Sequence, residues 1–169
     1  MESYRGRKVH LSLALACSFP HSLRLLSLLT WRTPSTISHR KRVVDGDTLV
    51  LENKERVRLI GVDTPETKHP RKPVEYYGRE ATTFTKRMVQ GKRVRLEFDQ
   101  ANAHIGHKDR YRKTLAYVFL EDGTFLNPEI VKQGYGFAYT RFPFKYMEEF
   151  RRYEREAREQ NRGLWGKRT

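Results

Sequence analysis

From about residue 40 the chain alternates apolar and polar positions in short runs. Residues 42–44 and 48–51 are β-favouring segments joined through Asp45-Gly46-Asp47, and residues 56–62 alternate as a half-buried strand does. Residues 64–74 hold three prolines and several charges, which predicts an exposed loop. Tyr77, Ala81, Phe84 and Met88 then repeat at helical spacing, and Gly91 ends that helix. Residues 93–98 alternate again, and residues 114–120 form a further strand closed by a turn at Glu121-Asp122-Gly123. Asn127 is placed to cap a short helix with Pro128 in its first turn, with Leu126 and Val131 as a hydrophobic staple. In the last helix Tyr146, Phe150, Tyr153 and Ala157 share one stripe, and Gly163 stops it before Leu164-Trp165. Strands this short need closure or cover to protect their edges. The expected fold is therefore α+β: a five-stranded OB-type β-barrel with about three packed helices.

The first 40 residues differ. Residues 11–19 and 23–31 are apolar but interrupted by Pro20, His21 and Arg24, and neither approaches the ~18 uninterrupted apolar residues of a membrane span. A basic start followed by LSLALAC is signal-like, and Ala14-Leu15-Ala16-Cys17 has some character of a lipoprotein cleavage site. The same stretch is rich in Arg and Ser and nearly free of acids, as organelle transit peptides are, and a disordered or non-native extension is the plainer alternative. Residues 1–40 are thus expected to be a leader or extension, and residues 41–167 the folded domain. A signal-like leader implies a secreted or cell-envelope protein; without it the protein is cytoplasmic or organellar.

Composition then narrows the chemistry. The net charge is +14, which favours polyanionic partners such as nucleic acid. Residues 1–44 hold eight basic residues and one acid, so the remaining 26 basic and 19 acidic residues give the rest of the chain only +7. Half of the imbalance belongs to the leader, and phosphate affinity has to be argued from particular side chains. The only cysteine, Cys17, lies in the leader, so the domain has neither a disulfide nor a thiolate metal site.

Acidic residues fall at strand ends. Asp45 and Asp47 flank Gly46, and Asp63 precedes Thr64-Pro65-Glu66. Taken alone, Asp-Gly-Asp-Thr is a plain turn. Two carboxylates and a backbone carbonyl drawn from different strands would make an oxygen-only site suited to Ca²⁺ or Mg²⁺ rather than Zn²⁺. Arg58 in its alternating strand is by itself an ordinary surface residue; beside a cation its guanidinium fork would seat a phosphate. Glu66 has a similar status, a loop carboxylate that near an activated water becomes a general base.

In combination, Asp47, Arg58, Asp63-Thr64-Pro65-Glu66 and Asp109-Arg110-Tyr111 with Leu115-Ala116-Tyr117 resemble the staphylococcal (thermo)nuclease family. The likeness runs from about Val43 to Trp165 and includes VDTPETKHPRKPVEYYGREATTFTKRMV at residues 62–89. The resemblance implies an OB barrel with three helices and Ca²⁺-dependent hydrolysis of DNA and RNA, leaving 3′-phosphate ends. It implies one Ca²⁺ held by Asp47, Asp63 and the carbonyl of Thr64, with Glu66 activating water and Arg58 on the scissile phosphate. Arg110 and Tyr111 match residues that hold a terminal phosphate, and Tyr139 an aromatic that packs on a base. Nucleic acid is the implied partner, with no protein partner, no stable membrane span and a monomeric state.

The sequence departs from the family at one clamp. The family has a second phosphate-binding arginine two residues after the tyrosine, usually preceded by glycine; here Arg112 and Lys113 stand there. Lysine keeps the charge and loses the fork. A regular strand would point Arg112 away from Tyr111 and Lys113. The resemblance thus implies a working but slower enzyme, with a catalytically weak or inactive OB-fold nucleic-acid-binding module as the alternative. His104 and His107 have H-x-x-H spacing near Asp99 and Asp109, but a solvated loop is the better expectation than a second metal site.

Overall fold

The computed structural model describes residues 37–38, 41–68, 71 and 73–166. The leader features, including Cys17 and the signal-like run, lie outside the described residues. The described residues belong to one unit, Ser35–Thr169.

Eight strands and three α-helices follow in chain order: β1 Ile37–Ser38, β2 Lys41–Asp45, β3 Thr48–Leu51, β4 Arg56–Leu59, β5 Val62–Asp63, α1 Gly78–Val89, β6 Val94–Glu97, β7 Thr114–Leu120, α2 Leu126–Lys132, β8 Phe137–Ala138 and α3 Met147–Glu159. Five of them form a mixed sheet in the order β6-β7-β4-β3-β2, with β1 added at the edge of β6. The fold is α+β and of OB type, as the sequence pattern predicts. Alternation explains the core: Leu49 and Leu51 on β3, Val57 and Leu59 on β4, and Val94 and Leu96 on β6 are all buried. Helices α2 and α3 complete the core with Leu126, Ile130, Val131 and Phe150. Trp165 packs edge-on against Phe137 and under Arg158, fastening the chain beyond α3 to β8.

Two expectations are corrected. Residues 56–62 are not one strand: β4 stops at Leu59, the chain turns at Ile60-Gly61, and β5 pairs instead with β8. Gly61 has φ +76°, and a Cβ there would lie 2.7 Å from the Phe144 ring, so the bend needs both a left-handed backbone and a missing side chain. Asn127 does not cap α2. It lies inside the first turn, fully buried, accepting from the N–H of Val118 at 2.9 Å and donating to the carbonyls of Ile60 at 2.9 Å and Ala116 at 3.3 Å. It pins the β4–β5 turn to β7, a tertiary use that outcompetes local capping.

Candidate active site

The β2–β3 hairpin closes through the two-residue loop Gly46-Asp47, with Asp45 opposite Thr48. Thr48 in turn pairs with Arg58 on β4, so register alone brings Asp47 beside Arg58. The chain direction set by Gly61 then returns Asp63 to the same place. Arg58 Nη1 donates to Asp47 Oδ1 at 2.7 Å, and Nη2 donates to Asp63 Oδ1 at 2.8 Å and to the carbonyl of Val62 at 3.3 Å. Asp47 Oδ2 accepts from the backbone N–H of Thr64 at 3.0 Å, and Oδ1 also from the Thr48 hydroxyl at 3.0 Å. The packing here is close: a Cβ on Gly46 would lie 2.7 Å from Thr64 Cγ2. From α1, the buried Thr85 hydroxyl donates to the Gly46 carbonyl at 2.6 Å and ties the helix to this turn.

Asp47 is 1% exposed. Burial pushes its carboxyl up to about 7, against the pull of Arg58 and with the added push of Asp45. Asp45, which the sequence sets beside Asp47 across Gly46, adds its charge to the site. Its charge acts on both Asp47 and Arg58, and its Oδ1 is buried without a hydrogen-bond partner among the described residues. The available signal is Asp-Gly-Asp itself, whose two carboxylates bracket a two-residue turn. Burial opposes the Arg58 charge, but Asp47 and Asp63 outweigh it and hold its pKa above the ordinary value.

Asp47 and Asp63 therefore share one guanidinium, and the Asp45 charge acts on it as well. The donors are all oxygen, one carboxylate oxygen is orphaned, and the Thr64 carbonyl follows directly in the chain. This set suits a hard cation that retains water. Among the described residues no group of three His, Cys, Asp or Glu side chains is already arranged around one metal position, the guanidinium of Arg58 bridging Asp47 and Asp63 instead.

The other expected residues fall into separate groups. Glu66 Oε1 accepts from the Lys68 N–H at 2.7 Å within its own loop, and the Glu66 N–H donates to Glu75 Oε2 at 3.0 Å. Arg110 lies 4.7 Å and Lys113 5.7 Å from the centre of the Tyr111 ring, which is 65% exposed. Strand β7 starts only at Thr114, so Arg112 is not a strand residue. Arg112 has φ +62° in a turn that Asp109 organises by accepting from the N–H groups of Tyr111 and Lys113, both at 2.8 Å. Parallel pairing of Thr114 with Val57 sets Lys113 one step from the strand that bears Arg58. Tyr139, exposed beside Phe142, donates its N–H to the Gly61 carbonyl at 3.0 Å, next to the strand that carries Asp63. His107 stacks on Phe98 and His104 is exposed on the turn of helix before it.

An OB-type α+β domain with a carboxylate–guanidinium centre at a hairpin turn is the class defined by this fold and site. Residues 56–167 match the family of staphylococcal nuclease homologues, and the chain belongs to that family. It is 41% identical over 128 residues to the thermonuclease of Staphylococcus hyicus, covering 73% of this chain and 72% of the relative. To the thermonuclease of Staphylococcus intermedius it is 43% identical over 129 residues, covering 74% and 73%. The endonuclease YncB of Bacillus subtilis is 38% identical over 131 residues, covering 75% of this chain and 60% of the relative.

Proposed function

We propose that this chain is an endonuclease that hydrolyses phosphodiester bonds of DNA and RNA with one Ca²⁺, leaving 3′-phosphate ends. The observation that carries this is the sharing of the Arg58 fork by Asp47 and Asp63 beside an orphaned Asp45 oxygen. Asp47, Asp63 and the Thr64 carbonyl would hold the ion, with Asp45 supplying further charge. When bound, the ion neutralises the phosphodiester and lowers the pKa of a water.

The chain's own residues do the rest. With Asp47 and Asp63 turned to an ion, the Arg58 fork that they occupy here would be released to the equatorial phosphate oxygens, where charge builds as water attacks phosphorus. Glu66 accepts the proton that this water gives up. The phosphorus–O5′ bond breaks, and the departing oxygen takes a proton from solvent beside the Lys113 charge to leave as a 5′-hydroxyl. Arg110 and Tyr111 hold a terminal phosphate, and Tyr139 offers a flat face to a base. The enzyme works as a monomer, and the signal-like start of the chain supports a secreted or cell-envelope location.

The test is digestion of DNA and RNA in Ca²⁺ and in EDTA, repeated with Asp63→Ala and Glu66→Gln. Cleavage should require Ca²⁺ and fall in both variants by about 10²-fold or more. Cleavage that persists in EDTA or in both variants removes the mechanism. Binding of nucleic acid with no cleavage under any condition would favour the binding module, to which only Lys113 in place of arginine points.

A further inference from the structure

A second feature lies directly behind the site turn. Strand β2, Thr67-Lys68 and one face of α1 line a cleft of about 830 Å³. Arg42, Lys68, Arg79 and Lys86 line it, and no Asp or Glu does so among the described residues. None of these four cations forms an ion pair with a described residue, whereas Arg151, Arg152 and Arg158 on α3 each face a glutamate. Surface cations left without acids, grouped in a concavity, mark an anion track rather than a solvated face.

The cleft is continuous with the site through the backbone. Strand β2 delivers Arg42, Val43 and Val44 to it before reaching Asp45, and the chain passes from Glu66 to Thr67 and Lys68. Thr85, bonded to Gly46, fixes α1 against the site turn, while Thr82 and Lys86 on either side of it line the cleft. Arg79 and Lys86 stand about 10 Å apart along the helix axis, so a strand lying along α1 meets a charge near each end. Val43 and Val89 give an apolar floor, which suits sugar and base faces better than an acidic peptide.

We propose that this cleft is an extended subsite that grips the backbone phosphates of the substrate strand several nucleotides from the bond that is cut. The inference rests on the nuclease reading above and names a specificity for long over short substrates.

The experiment compares a nitrophenyl phosphodiester of a single nucleotide with a single strand of about 15 nucleotides, near the upper site size of an OB fold. The variants are the pair Arg79→Glu and Lys86→Glu, and the single change Thr83→Lys. For the long strand, KM of the double variant should rise about tenfold with kcat unchanged, and the salt slope should fall by about 0.7 for each phosphate no longer neutralised. The short diester should be cut with unchanged constants. Thr83→Lys should lower KM for the long strand, a readout that stands even if the double variant folds poorly. An unchanged KM and salt slope, or an equal loss on both substrates, overturns the proposal. Should the wild type cut neither substrate, the nuclease reading fails alone. Fluorescence anisotropy with the same strand in EDTA then reads the cleft: weaker binding in the double variant upholds it, and equal binding overturns it. Competition by polyglutamate as strong as that of an oligonucleotide of equal charge also overturns it.

Discussion

Arg58 and Asp47 meet at 2.7 Å although they stand eleven positions apart, because Thr48 and Arg58 are directly paired across β3 and β4. The pair is held by sheet register rather than by a flexible loop, and Asp47 is almost fully buried. Burial and Asp45 together make its negative charge a cost to the metal-free fold. Asp47→Asn removes that cost but also one of the two acceptor oxygens in use, so the net gain in EDTA should be small, about 1 kcal/mol, while activity in Ca²⁺ falls by about 10²-fold or more. Urea unfolding at pH 8 measures the first effect. A loss of stability would show that the Arg58 contact outweighs the burial of charge.

The turn at Asp109–Lys113 places a non-glycine residue, Arg112, at φ +62°. A left-handed conformation costs an L-residue about 1–2 kcal/mol, so Arg112→Gly should raise stability by about 1 kcal/mol by urea unfolding. Combined with Lys113→Arg it restores the family pattern, and kcat should rise several-fold. No rate gain from Lys113→Arg together with no loss from Lys113→Ala would deny Lys113 a role.

Asp99 is a structural carboxylate with both oxygens used. Burial pushes it up, but the N–H of Lys145, the Tyr117 hydroxyl and the N–H of Ala101 prevail and hold it below the usual range. Its folded pKa is depressed, so its contribution is present above about pH 3.9, the unfolded value, and lost as pH falls through the folded value. Asp99→Asn should cost about 2–3 kcal/mol at pH 7, since an amide offers one acceptor oxygen where the carboxylate uses two. Denaturation followed by pH should show the gap between variant and wild type closing below about pH 4.

Asn127 satisfies β7 and the β4–β5 turn at once. Asn127→Ala leaves the Val118 N–H and the Ile60 carbonyl short of partners, while the Ala116 carbonyl keeps the Ile60 N–H, and should cost about 3 kcal/mol. Asn127→Asp should be no better, because a carboxylate cannot donate to Ile60 and Ala116. Thermal unfolding of both variants is the check, and a mild loss in either would show that water replaces the amide.

Much of this is legible in the sequence, and the gaps have a common cause. Alternation locates β6, β-favouring runs locate β3 and β7, and helical spacing locates α1 and α3. The break at Gly61 is hidden, since apolar residues run on through it and the Phe144 ring that fills the place of a Cβ comes from far along the chain. Strands β5 and β8, two residues each, are too short to show a period. Asn127 resembles a cap because local sequence cannot reveal a competing tertiary partner. In the site, Asp47, Arg58 and Asp63 are named by the family likeness and lie together. Asp45 passes for a turn residue, because its burial beside Asp47 depends on α1 and the 64–66 segment closing over the hairpin.

The parallel pairing of β4 with β7 has a consequence for biosynthesis. Every carboxylate of the centre, and Arg58 itself, emerges from the ribosome before β7 exists to flank them. A nascent chain that ends short of Thr114 has the reactive groups but not the strand that seats β4, nor the Asn127 clasp behind it. The centre is thus assembled only after most of the message has been read.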